Sequence, residues 1–254
     1  MKTALTISVV GAATALALLA SPAAAEERNT KATAVGSTEG KTETAAPPIT
    51  YKAPQRGAPA TRVGGGTRSV DMKVAGLSVL APNETGYTTR EKPTIYWFVS
   101  ETLTSPVELT ITSTASLQDA ATPALEITLQ PPIAKGLHAL ALEAHGVVLK
   151  PGVEYQWFVA VVSNAAQRSN DVIAGGSIKR IAQSETVQTR LKETAPANRP
   201  ALYAGEGLWY DAIEDLSKLI SADPGNRRLR EQRAALLEQV GLGDAAAYDR
   251  AAGR

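Results

Sequence analysis

Four regimes of hydrophobic patterning follow one another along the chain. Residues 1–25, MKTALTISVVGAATALALLASPAAA, hold an uncharged apolar run from Ala4 to Ala20. From Glu26 to Val70 large apolar residues nearly vanish. From Gly76 to Ile181 the period is two, or short apolar runs bounded by turn residues. From Pro200 apolar residues recur at intervals of three and four. Period two places alternate side chains on one face of a strand, and three-four spacing places them on one stripe of a helix.

The first regime reads as a secretory signal. Lys2 precedes the run, Ser21-Pro22 breaks it, and Ala23-Ala24-Ala25 offers the small-x-small site that signal peptidase accepts. We expect cleavage after Ala25 and delivery to the periplasm or the outside of a bacterium. The run barely reaches spanning length, and it is rich in Ala and Thr rather than the Leu and Ile of a membrane anchor. No transmembrane segment is expected after cleavage. The second regime, 26–70, is rich in Thr, Ala, Gly and Pro. It offers too little apolar surface to offset ordering entropy and is expected to stay unfolded. Its glycine-rich stretch Arg62 to Arg68 lacks the preceding strand and the following Lys-Ser/Thr of a phosphate loop. A lead-in pinned to the next domain through Arg62 and Arg68 fits it better.

The third regime predicts a β-domain over 71–181. Strands are expected around Leu77–Leu80, Thr94–Val99, Val107–Thr112, Leu125–Leu129, Leu137–Leu142, Tyr155–Val162 and Val172–Ile181. Pro82 to Gly86 and Lys150-Pro151-Gly152 are read as turns. Six or seven short strands with this spacing suit an immunoglobulin-like sandwich. Leu149 to Trp157 resembles the L-x-P-G-x-x-Y-x-W phrase of fibronectin type III domains, which implies that Tyr155 and Trp157 are core. An exposed aromatic platform for sugars is the weaker reading, because the tryptophans lie inside dense apolar runs.

Residues 182–199 are polar and read as a connector, leaving 200–254 as a helical region. One short helix is expected over Ala201–Glu206. A second carries the stripe Trp209, Ala212, Ile213, Leu216, Leu219 and Ile220 and stops at Asp223-Pro224-Gly225-Asn226. A third carries Leu229, Arg233, Leu236, Leu237 and Val240. Gly207 to Asn226 resembles part of a tetratricopeptide repeat, whose period is about 34 residues. At that offset Gly207-Leu208 meets Gly241-Leu242, Ala212 meets Ala246 and Asp215 meets Asp249. The fold class expected is therefore mainly β with α: a sandwich followed by a tetratricopeptide-like hairpin packed against it.

Composition narrows the chemistry. The chain has 26 Lys+Arg, 25 Asp+Glu, two histidines and no cysteine. Losing residues 1–25 removes one charge, Lys2, and leaves 25 of each sign. A neutral chain lacks the basic surplus by which proteins bind nucleic acid. The missing cysteines exclude disulfides, thiolate metal sites and thiol catalysis. His138 and His145 are seven apart, an odd interval that puts them on opposite faces of a strand. No G-x-S-x-G elbow is present. Glu101, Glu108, Glu126, Glu143, Glu154 and Asp171 lie in or beside predicted strands, with no spacing that marks an acid/base pair. No catalytic, cofactor or metal residues are assigned.

The order of parts resembles the domain-of-unknown-function family numbered 928. The pieces that carry the resemblance are Leu77 to Pro93, Tyr155 to Phe158, Ser169 to Arg180 and Ala201 to Ala212. The family has no assigned activity, so the resemblance implies an architecture and no catalytic residues. The function expected is a non-enzymatic interaction or scaffold module whose partner is another envelope or secreted protein. Tyr203, Trp209, Tyr210 and Asp211 are the candidate contact residues, with core packing the stronger reading for Trp209. The alternative is a small-ligand or carbohydrate binder, or a hydrolase with carboxylates in a cleft between sandwich and helices.

Overall fold

A computed structural model describes residues 49–54, 62–63, 76–116 and 121–253. The signal segment, most of the arm with Arg68, and Arg254 lie outside the described residues. The strands are β1 (Leu77–Val79), β2 (Gly86–Thr88), β3 (Thr94–Val99) and β4 (Val107–Ser113). They are followed by β5 (Leu125–Leu129), β6 (Gly136–Ala141), β7 (Glu154–Val161) and β8 (Val172–Arg180). Five helices follow among the described residues: α1 (Glu185–Glu193), α2 (Arg199–Gly205), α3 (Trp209–Ala222), α4 (Arg227–Gln239) and α5 (Gly243–Ala252). The protein thus combines two sheets with five helices.

One sheet has the order β1-β3-β6 and is antiparallel. The other has the order β2-β8-β7-β4-β5, with β2 parallel to β8 and the remaining pairs antiparallel. Alternation does what period two predicts. In β7, Tyr155, Trp157, Val159 and Val161 are buried while their neighbours are half-exposed, and β4 buries Val107, Leu109 and Ile111. The two sheets meet where Gly176 of β8 faces β1. A Cβ at Gly176 would lie 2.6 Å from that of Ala81 and 3.5 Å from Val79, so only glycine permits this approach. Strand β3 is buried from Ile95 to Val99 on both faces. One face meets the other sheet and the second meets the helices, where Phe98 packs against Tyr248 of α5 at 5.4 Å.

The helices repeat. Gly207 and Gly241, 34 positions apart, both take left-handed backbone, at φ +75° and +74°. At each turn the next leucine donates its N–H five residues back, Leu208 to Tyr203 and Leu242 to Leu237. Ala212 to Leu208 and Ala246 to Leu242 repeat the bond that opens the following helix. Hence α2–α3 and α4–α5 are two helical pairs joined by one kind of turn. The described sheets and helices fall together in one compact unit.

Three expectations are revised. Gly86–Thr88, read as part of a turn and its flank, is a strand held on the edge of β8. The connector contains α1, capped by Ser184, whose hydroxyl accepts from Val187 N–H at 3.2 Å. Within the arm, two short pieces are packed. Ile49 is buried, Lys52 N–H donates to Ala204 O at 3.0 Å, and Gln239 bonds both Tyr51 N–H and Ile49 O. Arg62 donates to Ala81 O and Val240 O at 3.2 and 2.6 Å, which ties the sheets to α4.

Candidate functional site

Helix α3 presents two different surfaces to the sheets. Its first two turns form a closed seam. The Trp209 indole donates to Leu80 O at 2.8 Å and meets Tyr51 edge-on at 4.9 Å. Tyr210 accepts from the Trp157 indole at 2.9 Å and donates to Ser177 O at 3.0 Å. Burial pushes its phenol well above the ordinary tyrosine range. Gly86 makes room for that ring, since a Cβ there would stand 2.6 Å from it. Asp211 accepts from Thr88 Oγ1 at 2.6 Å, and from Thr89 N–H and Oγ1 at 2.9 and 2.7 Å.

Arg90 closes the seam. Its guanidinium lies 3.9 Å from Asp211, 2.8 Å from Glu214 and against Asp215, and it sits over the Tyr203 ring at 5.8 Å. Burial raises Asp211 above the ordinary aspartate value, opposed by Arg90 and the two threonines. Burial acts the same way on Glu214 but is outweighed by Lys218, Thr94 N–H and Arg90, so that Glu214 is held low. Two carboxylates side by side with divergent values are a pattern seen at acid/base sites. Here every oxygen faces a donor, and the side chains are 0 % and 4 % exposed, with no space for a substrate. The arrangement locks helices to sheets.

Of the four residues singled out for partner contact, Trp209, Tyr210 and Asp211 are thus buried at 0, 1 and 0 % exposure and engaged within the chain. Tyr203 is half-buried. It borders a shallow hollow of about 280 Å³ with Lys192, Arg199 and Gln188. Trp97 and Trp157 are also buried, so neither forms a sugar platform. Trp97 instead stacks on His138 at 5.2 Å, while His145 is exposed at the end of a 3-10 turn. Asp171 and Glu108 both bind Arg168, with Asp171 at 2.7 Å, and Glu154 accepts from Thr85 Oγ1 at 3.0 Å. Among the described residues no group of three or more His, Asp or Glu side chains is placed to hold a metal. No helix there is long and apolar enough to cross a membrane.

The second half of α3 opens onto a cleft of about 550 Å³. One wall is the helix-facing side of the three-stranded sheet, with Tyr96, Leu137 and Ala139, and its rim at His138 on the β6 edge. The other comes from Ser217, Lys218 and Ile220 of α3, Arg230 and Arg233 of α4, and Tyr248 of α5. Behind that wall Arg233 binds both oxygens of buried Asp249, at 2.7 and 2.8 Å, and donates to Ser217 Oγ at 2.8 Å. Arg230 also reaches Asp249, at 3.2 Å. Burial raises the Tyr96 phenol above its ordinary value, opposed by Ser217 beside it. This fixed network makes a firm wall. Every ionisable group with a full charge on the cleft's surface is basic. The carboxylates that balance them, Asp249 and Glu214, lie behind.

Sequence reading did not gather these residues into a site. Arg233 stood in an otherwise apolar stripe, and Asp249 is the 34-residue counterpart of Asp215. A charge at a buried helical position implies a buried partner, yet nothing local tells Arg233 which carboxylate it meets.

The family comparison agrees with the order of parts. The chain belongs to the family described as Domain of Unknown Function (DUF928), whose model matches residues 63–249. No curated protein matches the chain. Among solved structures, a multi-domain immunophilin from Arabidopsis thaliana aligns at 11 % identity and a TM-score of 0.16, covering 73 % of this chain and 99 % of that one. A likeness of that size carries no argument.

Proposed function

We propose that this is an exported, non-enzymatic binding module of the bacterial envelope or exterior. Its leader is removed after Ala25, and its partner is another envelope or secreted protein. In this reading the sheets are an immunoglobulin-like sandwich and the repeated helical pairs are relatives of tetratricopeptide repeats. Both folds commonly present surfaces to other proteins, an argument by analogy of fold.

One observation carries the reading. The chemistry-bearing residues of the seam are spent on each other, while the open cleft presents aromatic, aliphatic and basic side chains without a surface carboxylate. Such a lining suits recognition of an acidic group and lacks the paired acid and base that a carboxylate hydrolase needs. The contact region moves accordingly, from the buried start of α3 to the cleft.

The test is made in cells with the full chain. A photo-crosslinking amino acid replaces Ala139 in the cleft or Ala165 on an exposed turn as control. Fractionation is expected to find the chain shortened at Ala25 and outside the cytoplasm. Ala139, and not Ala165, is expected to crosslink one protein. An uncleaved cytoplasmic chain would remove the export reading. Equal or absent crosslinking at the two positions would remove the binding reading.

A further inference from the structure

The cleft runs beside a sheet edge with unused backbone groups. Among the described residues β6 pairs with β3 alone. Just past β6, Leu142 donates its N–H to Pro93 O at 3.1 Å, in continuation of the β3–β6 register. Antiparallel ladders alternate bonded with non-bonded pairs. Leu140, His138 and Gly136 therefore turn their backbone groups toward β3. Leu137, Ala139 and Ala141 turn theirs outward.

Proteins guard such edges with short strands, charges or proline. Three of the four sheet edges described here are guarded. Strands β1 and β2 have three residues each, and β5 carries exposed Glu126 at its second position. Strand β6 reads GLHALA over six residues, with no full charge and no proline, and exposes Ala139 and Ala141. It is the edge that borders the cleft. Lys218, 63 % exposed, stands on the facing wall with Arg230 beyond it. Their counter-ions, Glu214 and Asp249, are buried behind the wall, so the charged groups that line the cleft itself are all basic.

We propose that β6 receives an extended segment of a partner polypeptide as an added strand, with an acidic side chain of that segment directed toward Lys218 and Arg230. Main-chain bonds to Leu137, Ala139 and Ala141 supply the affinity, and the cleft reads alternate side chains. This deepens the binding reading above and rests on it.

The test uses the chain lacking residues 1–25 and peptides of about eight residues, ordinary strand length. One peptide alternates valine with aspartate and a second alternates valine with lysine. A third is the aspartate peptide N-methylated at alternate nitrogens, and succinate serves as a small dicarboxylate. The aspartate peptide is expected to bind and to slow amide exchange at Ala139 and Ala141 by about tenfold or more. Lys218→Glu should weaken it about tenfold. Ala139→Pro, tolerated at an edge whose N–H faces outward, should abolish it while circular dichroism and melting stay near wild type.

Four results would overturn the proposal: no binding of the aspartate peptide, equal binding of the lysine or N-methylated peptide, full competition by succinate without edge protection, or self-association that protects the same amides. If any of these occurs while Ala139 still crosslinks a partner in cells, the strand-addition idea fails and the binding module stands. If Ala139 crosslinks nothing, both fall.

Discussion

One helix, α3, builds two regions of opposite character. From Trp209 to Asp215 it faces the sheets through a seam in which Trp209, Tyr210, Asp211, Glu214 and Asp215 all find partners within the chain. From Ser217 to Ala222 it borders an open cleft in which Lys218 keeps most of its surface in water. The difference comes from what the sheets offer opposite each half. Thr88 of strand β2 and the following Thr89 supply donors to Asp211, and Gly86 admits the Tyr210 ring. Opposite the second half, β6 offers small alanines and an unpaired edge. A buried polar group is tolerable only with its partners in place, so the seam's chemistry is structural. Groups left facing water remain free for recognition.

That contrast predicts graded effects. The largest belongs to the seam's anchor. Trp209→Ala removes a fully buried indole and its bond to Leu80 O, and should cost about 3–5 kcal/mol of unfolding free energy in a denaturant titration. A loss below about 1 kcal/mol would mean that the sheets and helices are not locked through this residue.

Asp211→Ala comes next. It strands the donors of Thr88 and Thr89 and leaves Arg90 with two carboxylates instead of three. We expect about 3 kcal/mol, the low end for breaking a buried pair, because Arg90 keeps 23 % of its side chain exposed.

The pH dependence separates the seam's two carboxylates. Glu214 is held below its ordinary value of 4.5 by Lys218, Thr94 and Arg90 against the opposing pull of burial. A carboxylate lowered by folding adds stability above its unfolded value and loses it as pH falls through the lowered one. Asp211, raised by burial, has the opposite sign: its contribution declines as pH rises through its raised value. Melting temperatures measured below about pH 5 should therefore fall less steeply for Glu214→Gln than for wild type. Asp211→Asn should leave that acid limb in place.

The smallest stability change belongs to the cleft. Lys218→Gln gives up an ion pair to Glu214 that is exposed on the lysine side, and should cost about 1 kcal/mol or less of unfolding free energy, while weakening the proposed peptide. A large destabilisation there would place Lys218 in the seam and blur the distinction between the two halves of α3.

Much of the architecture was legible locally. Seven strands were visible as alternation or as short β-branched and aromatic runs, and the 34-residue offset anticipated that Gly207 and Gly241 would make the same turn. Strand β2 was not legible, because three residues, Gly-Tyr-Thr, carry no period. It exists by pairing with β8 and by contact with α3. Helix α1 was hidden by polarity, although Val187 and Leu191 at four-residue spacing behind a Ser184 cap were its trace. The packed pieces at Ile49–Lys52 and Arg62 were obscured by composition, since an arm poor in apolar residues can still be held by backbone bonds to a finished surface.

The site was less legible than the fold. Aromatic and acidic residues clustered at Trp209-Tyr210-Asp211 suggest a contact surface when read alone. In the folded protein Trp157, Ser177, Thr88 and Arg90 come from far along the chain to absorb them. The cleft draws on β3, β6, α3, α4 and α5, and no local period joins those elements.

By itself the sequence determined the periods, the breaks between them, the near balance of charge and the chemistries that a chain without cysteine excludes. These are properties of neighbours along the backbone, set by side-chain geometry within a few residues. Only the tertiary structure decided which polar groups would be consumed and which left open. Satisfaction of a buried donor or carboxylate depends on partners more than a hundred residues away, as Asp211 depends on Thr88 and Thr89.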